Sequence, residues 1–322
     1  MEPSAPQQAQ IAAIQAELTL QKRGNNMIID MHSHPTFTDF FKKKPSPPPA
    51  RPANQKLDVI AHPDSMGLAM ELTSQQYKGK SSSMLSVKDF KKHLDDAEID
   101  FIIFLCAIIR GQSARENNEK YAKLIKQFDG RAIGFAGFDP TAGEQAVNDI
   151  EYALKELGFK GLKMIGSLLG LDINDRAFYP CYEKAQELGV PIMMHTGSGL
   201  IMGSRVKHVR PLMVDDVAFD FPGLKIICAH LGCWDYMDVH SMLVRHPNVY
   251  SDLSAWALDP RYTSLIPWKL FEQTVSNKIF LGSDYPAAQT PKEALESVRN
   301  LPISEEFKKK IIGENAAKFL DL

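Results

Sequence analysis

Pro191-Ile-Met-Met-His-Thr-Gly197 is the stretch on which the fold turns. Its apolar run has no polar alternation, which suits a parallel strand buried on both faces. A histidine closes the run, and a glycine follows where the chain must turn. A helical pattern, Ala177 to Leu188, leads into it. The next unit repeats the plan: a helical pattern from Pro211 to Phe221, then Lys225-Ile-Ile-Cys-Ala-His230, again ending on a histidine.

Outward from this pair the alternation continues in both directions. Toward the N-terminus, strands are expected at Ile28–His32, Asp100–Cys106, Ala132–Phe138 and Gly161–Ile165, with helices at Val87–Ala97, Glu116–Phe128 and Gly143–Leu157. Toward the C-terminus, a helix at Tyr236–Arg245 precedes a strand at Val249–Leu253. A helix at Tyr262–Val275 then precedes a strand at Lys278–Gly282, and closing helices run from Pro291 onward. Eight strand–helix units in order predict a closed (β/α)8 barrel. The competing open, doubly wound sheet lacks its Gly-x-Gly-x-x-Gly turn after the first strand.

The barrel is expected to occupy residues 27–322, with residues 1–26 as an extension that is helical or disordered. A polar, proline-rich stretch at about 37–86, including Pro45-Ser-Pro-Pro-Pro49, is expected to be an insertion or active-site lid. The 37 basic and 39 acidic side chains nearly cancel, which gives no long-range reason for nucleic acid or an anionic membrane as partner. No apolar run approaches the roughly 20 residues of a membrane span. The N-terminus lacks a secretory layout, and Cys106, Cys181, Cys228 and Cys233 show no C-x-x-C pair. A cytoplasmic protein acting on a small molecule is expected, and a homodimer is compatible with the sequence.

The titratable residues gather where strands end. His32 and His34 are alternate residues at the end of the first strand, so both rings project to one side, a two-point clamp for a metal. Alone, the pair is equally compatible with an exposed His-x-His loop. His195 closes the fifth strand, His230 the sixth, and Asp284 follows the eighth in Phe280-Leu-Gly-Ser-Asp-Tyr-Pro286. In a barrel all five reach the mouth where active sites are built. Core packing explains them poorly, since an unpaired buried charge costs several kcal/mol or titrates away.

The stretches Ile29-Asp-Met-His-Ser-His-Pro35, Gly161-Leu-Lys163, Pro191-Ile-Met-Met-His-Thr-Gly197, Ala229-His-Leu-Gly232, Asn248-Val-Tyr-Ser-Asp-Leu-Ser254 and Gly282-Ser-Asp-Tyr-Pro286, with the ending Ile311-Ile-Gly-Glu-Asn-Ala-Ala-Lys-Phe-Leu320, carry a family resemblance. Together they resemble the amidohydrolase-related group of the amidohydrolase superfamily, the group that includes aminocarboxymuconate-semialdehyde decarboxylase. The resemblance implies that His32, His34, His195 and Asp284 ligate a divalent metal, usually zinc, with His230 as a catalytic residue beside it. Manganese and iron also suit three imidazoles and a carboxylate. One ion is expected, or two if Lys163 on the fourth strand is carbamylated, as a lysine there can be in the superfamily. The other readings of Lys163 are a substrate-binding ammonium or an ion pair.

Three weaker features remain. Arg110 past the second strand is a candidate anchor for a substrate carboxylate. Arg205, His208 and Arg210 form either a cationic group facing the mouth or a solvated run. Trp234, Tyr236 and Trp256 are candidates to line an apolar pocket or the core. The first expectation for the reaction is hydrolysis of an amide, ester, lactone or thioester through a metal-activated water, with His230 stabilising the oxyanion and Asp284 moving the proton. The alternative is non-oxidative decarboxylation of an unsaturated or aromatic acid. A non-catalytic metal-binding subunit would leave His230 and Asp284 without purpose.

Overall fold

The computed structural model describes residues 27–37, 85–108, 111–197 and 205–322. The N-terminal extension, most of the insertion and Arg110 lie outside the described residues. Eight parallel strands pair in sequence order: β1 Ile29–Ser33, β2 Phe101–Leu105, β3 Ala132–Gly137, β4 Gly161–Met164, β5 Ile192–Met194, β6 Ile226–Cys228, β7 Val249–Leu253 and β8 Ile279–Leu281. The segment after β8 closes the ring against β1. There the amides of Ser283 and Asp284 donate to His32 O at 3.2 and 2.7 Å, and His34 N donates to Tyr285 O at 2.7 Å. Closure therefore sets Asp284 directly beside the His-x-His of β1. This is the expected (β/α)8 barrel.

The two sets of alternate strand residues make two apolar layers. Ile29, Met31, Ile103, Leu105, Phe135, Met193, Ile227 and Phe280 fill the barrel interior. Phe319 closes its lower end against Tyr250 and Phe280, with ring centroids 4.7 and 5.1 Å apart. The opposite set, such as Phe104, Leu162, Met164, Ile192 and Leu281, packs under the helices. These are α1 Val87–Asp96, α2 Ala114–Ile125, α3 Glu144–Lys155, α4 Tyr179–Glu187, α5 Met213–Asp220, α6 Tyr236–Arg245, α7 Trp268–Val275, α8 Pro291–Arg299, α9 Glu305–Lys309 and α10 Asn315–Leu320, the last carrying Phe319. Local chemistry starts several of them. Ser86 caps α1 by accepting from Asp89 N at 3.1 Å, and Thr290 with Glu293 forms a capping box on α8.

The observed elements are shorter than the sequence pattern at several ends. The helix expected from Tyr262 begins only at Trp268, because Pro267 restricts the residue before it and cannot donate into a helix already under way. Strands β5 and β6 have three residues each, so His195 and His230 follow just past the strand ends, His195 N still donating to Met164 O at 2.9 Å. Among the described residues, no helix is long and apolar enough to cross a membrane.

Candidate metal centre

After β6 the backbone enters the left-handed region for four residues in succession: His230 (φ 59°), Leu231 (48°), Gly232 (69°) and Cys233 (53°). Asp284 is also left-handed, at φ 54°. Such a conformation costs a non-glycine residue roughly 1–2 kcal/mol, so the surroundings must hold it in place. One reward is a hydrogen bond from His230 N to Asp252 Oδ1 at 3.2 Å. The loops after β5 and β6 touch closely, and a Cβ at Gly197 would sit 2.5 Å from the Gly232 backbone.

The five residues expected at the mouth do converge, in two linked groups. His32 Nε2 and His34 Nε2 each lie 3.5 Å from Asp284 Oδ1. The ligand atoms of these three residues are all within 4.8 Å of one another, a spacing that could hold a metal ion. Their far ring nitrogens are held from behind: His32 Nδ1 by Asp252 Oδ2 at 3.0 Å, and His34 Nδ1 by Leu105 O at 3.2 Å. His195 falls outside that triplet and joins it through His230, whose Nε2 is 3.2 Å from His195 Nδ1. His230 Nδ1 lies 2.7 Å from Ser254 Oγ, and the Ser254 hydroxyl donates to Asp252 Oδ1.

Polar atoms without partners mark the centre. His32 Nε2, His195 Nε2 and Lys163 Nζ are all buried and have no hydrogen-bond partner among the described residues. Native interiors rarely leave such atoms unsatisfied unless a ligand or ion completes them. Three imidazoles and a carboxylate fit a divalent cation. Lys163, on β4, is 1% exposed and makes no ion pair within 4.0 Å among the described residues; Asp252 and Asp284 act on its charge from further away.

Burial dominates the electrostatics. It pushes the His34 and His195 pKa values down to about 3, with the Lys163 charge adding to the effect, and lowers His32 and His230 far below the ordinary histidine range. The imidazoles are therefore neutral, as metal ligands must be. Burial also lifts Asp284 to about 8 and Asp30 to about 7, and lowers Lys163 to about 8.

The weaker candidates separate. Trp234 and Trp256 meet past β6 and β7 at 4.9 Å, and Tyr262 joins them at 4.7 and 4.4 Å. Tyr236 instead donates to Leu265 O at 3.0 Å, outside this trio. The expected cationic group is largely neutralised: His208 and Lys207 pair with Asp172, and Arg210 pairs with Asp235 at 2.8 Å. Arg205 is exposed. Sequence reasoning gave no role to Asp252, Ser254 or Asp30. The signal was present, since Asp252 is a carboxylate inside the strand Val249–Leu253 and had to be buried with a partner.

Fold and site together define a (β/α)8 barrel with a histidine–carboxylate centre at its mouth. A family model described as amidohydrolase matches residues 29–322, and the chain belongs to that family. A 2-amino-3-carboxymuconate-6-semialdehyde decarboxylase of Dictyostelium discoideum is 22% identical over 237 residues, 64% of this chain and 65% of the relative. A gamma-resorcylate decarboxylase of Polaromonas is 27% identical over 146 residues, 38% of this chain and 45% of the relative. The chain thus spans less than two thirds of the length of either relative. Among solved structures, a Polaromonas dihydroxybenzoic acid decarboxylase with bound manganese and 2-nitroresorcinol superposes with a TM-score of 0.61. It is 21% identical, and the match covers 92% of this chain and 97% of that one. The group expected from the sequence, with the semialdehyde decarboxylase among its members, is thereby borne out. The expectation of hydrolysis is not: these two relatives are decarboxylases, and a third, 30% identical over 102 residues, is a 2-keto-4-carboxy-3-hexenedioate hydratase of Sphingobium. The physical reason is that one ligand set can activate a water or polarise a bound acid, so ligand identities alone do not choose the reaction.

Proposed function

We propose that residues 27–322 form one catalytic domain that decarboxylates a small unsaturated or aromatic carboxylic acid without oxidation, using a divalent metal. The similarity to two decarboxylases carries this reading, and it is supported by a buried mouth in which His32, His34 and Asp284 face one another. His32, His34, His195 and Asp284 would hold the metal. A metal held there would supply Lewis-acid polarisation of a substrate oxygen, which would ease departure of CO2. Zinc or manganese suits the donors equally.

The reaction exchanges a carboxylate for a proton: the C–C bond breaks, CO2 leaves, and the electron pair stays on carbon until protonated. Asp284, beside His32 and His34, is the proposed group that relays a proton from solvent to that carbon. Lys163 supplies a desolvated ammonium with no hydrogen-bond partner among the described residues, suited to an anionic oxygen on the substrate or to the charge that develops there. Trp234, Trp256 and Tyr262 give an aromatic wall for a planar acid. One ion per chain is favoured over two. The second grouping of potential ligands, His32, His230 and Asp252, is already spent on internal hydrogen bonds.

A panel of unsaturated and aromatic acids, tested on the metal-loaded protein, should include a substrate that releases one CO2 per molecule consumed. Chelation should abolish turnover. Hydrolysis of any panel member without CO2, or undiminished turnover in excess chelator, would refute the proposal.

A further inference from the structure

One carboxylate accounts for both unpartnered imidazole nitrogens at the mouth. Asp252 is fully buried on β7; its Oδ1 accepts from the Ser254 hydroxyl and from His230 N, and its Oδ2 lies 3.0 Å from His32 Nδ1. Burial pushes the Asp252 carboxyl up, while His230, the Ser254 hydroxyl and the Lys163 charge pull it back, and the two hydrogens on Oδ1 favour the ionised, accepting form. His32 therefore carries its proton on Nδ1, and its Nε2 is a lone pair. The Ser254 hydroxyl has one hydrogen and gives it to Asp252, so toward His230 Nδ1, 2.7 Å away, its oxygen can only accept. His230 is then protonated on Nδ1 and bare on Nε2. It can accept at Nε2 only from His195 Nδ1, 3.2 Å away, which leaves His195 Nε2 a lone pair. His32 Nε2 and His195 Nε2 are the imidazole atoms at the mouth found without partners. His34 reaches the same state separately, through Leu105 O.

We propose that Asp252 and Ser254 act as a tautomer lock. They are positioning residues that fix the protons of His32, His230 and His195 so that the lone pairs of His32 and His195 face the metal position. The proposal rests on the metal-dependent reading but not on decarboxylation. It also reassigns His230: with both ring nitrogens engaged, it orients His195 and has no proton to deliver in the resting protein.

The test uses the full chain, metal-free and labelled with 15N at histidine, and long-range 1H–15N correlation near neutral pH. His32, His34, His195 and His230 should all appear as Nδ1–H tautomers. Ser254→Ala should release His230 and His195 from that tautomer while leaving His32 and His34 unchanged. It should also weaken zinc or manganese binding, measured by competition with a chromophoric chelator, by about 10–100-fold. Ser254→Thr keeps the hydroxyl and should restore both readouts. Nε2–H tautomers at His32 or His195 in the wild type would overturn the proposal, and that spectrum decides it even if Ser254→Ala fails to fold. Unchanged tautomers and affinity in a folded Ser254→Ala would overturn it as well. Neither readout involves substrate, so a correct lock without CO2 release would sink only the decarboxylase reading.

Discussion

Replacing Lys163 with methionine should make the metal-free protein more stable while abolishing its turnover. The ammonium is buried on β4, and desolvation lowers its pKa from 10.5 to about 8 even though Asp252 and Asp284 pull the other way. That net lowering corresponds to a penalty on the order of 3–4 kcal/mol carried by the folded state. Methionine has a similar unbranched length and no charge, so it should fill the site and remove the cost. The pH dependence fixes the sign. Between about 8 and 10.5 the unfolded chain binds more protons at this lysine than the folded one, so wild-type stability rises with pH across that window. The advantage of Lys163→Met should therefore be full at about pH 7 and should vanish above about 10.5. Urea unfolding of chelated protein at both pH values measures it. A destabilised Lys163→Met variant, or a difference that ignores pH, would mean that the lysine is a paired structural cation, and its assignment as the anion-binding group would fall.

Metal binding should compete with one proton. His34 and His195 are neutral down to about pH 3, whereas Asp284 holds its proton to about 8, so apparent affinity should weaken about tenfold per pH unit below about 8. A slope of two or more in competition titrations would show the histidines titrating and contradict their burial. At the opposite end of the barrel, Phe319→Ala opens a void against Tyr250 and Phe280 and should cost about 3–5 kcal/mol in urea unfolding. The metal affinity of the folded variant should be unchanged, and a large loss would mean that the lower plug and the mouth are coupled.

The fold was legible because it repeats. Each β-strand is an apolar run set between amphipathic helices, and eight such units leave few topologies open. The histidines were legible for a related reason: a titratable residue at the end of an apolar run stands out against its neighbours. Asp252 gave a weaker signal, a carboxylate within the strand Val-Tyr-Ser-Asp-Leu, and nothing nearby in the sequence named its partner. Its meaning depends on His32, 220 positions away in the chain, which meets it only after the barrel closes. His230 shows the same limit from another side. Its position at a strand end was readable, but the left-handed backbone that aims its amide at Asp252 and its ring at His195 was not. Local pattern thus located the ligands, whereas the groups that orient them became visible only when β1, β5, β6 and β7 were side by side. The reaction lies a step further out, since it depends on what the oriented site does to a bound acid.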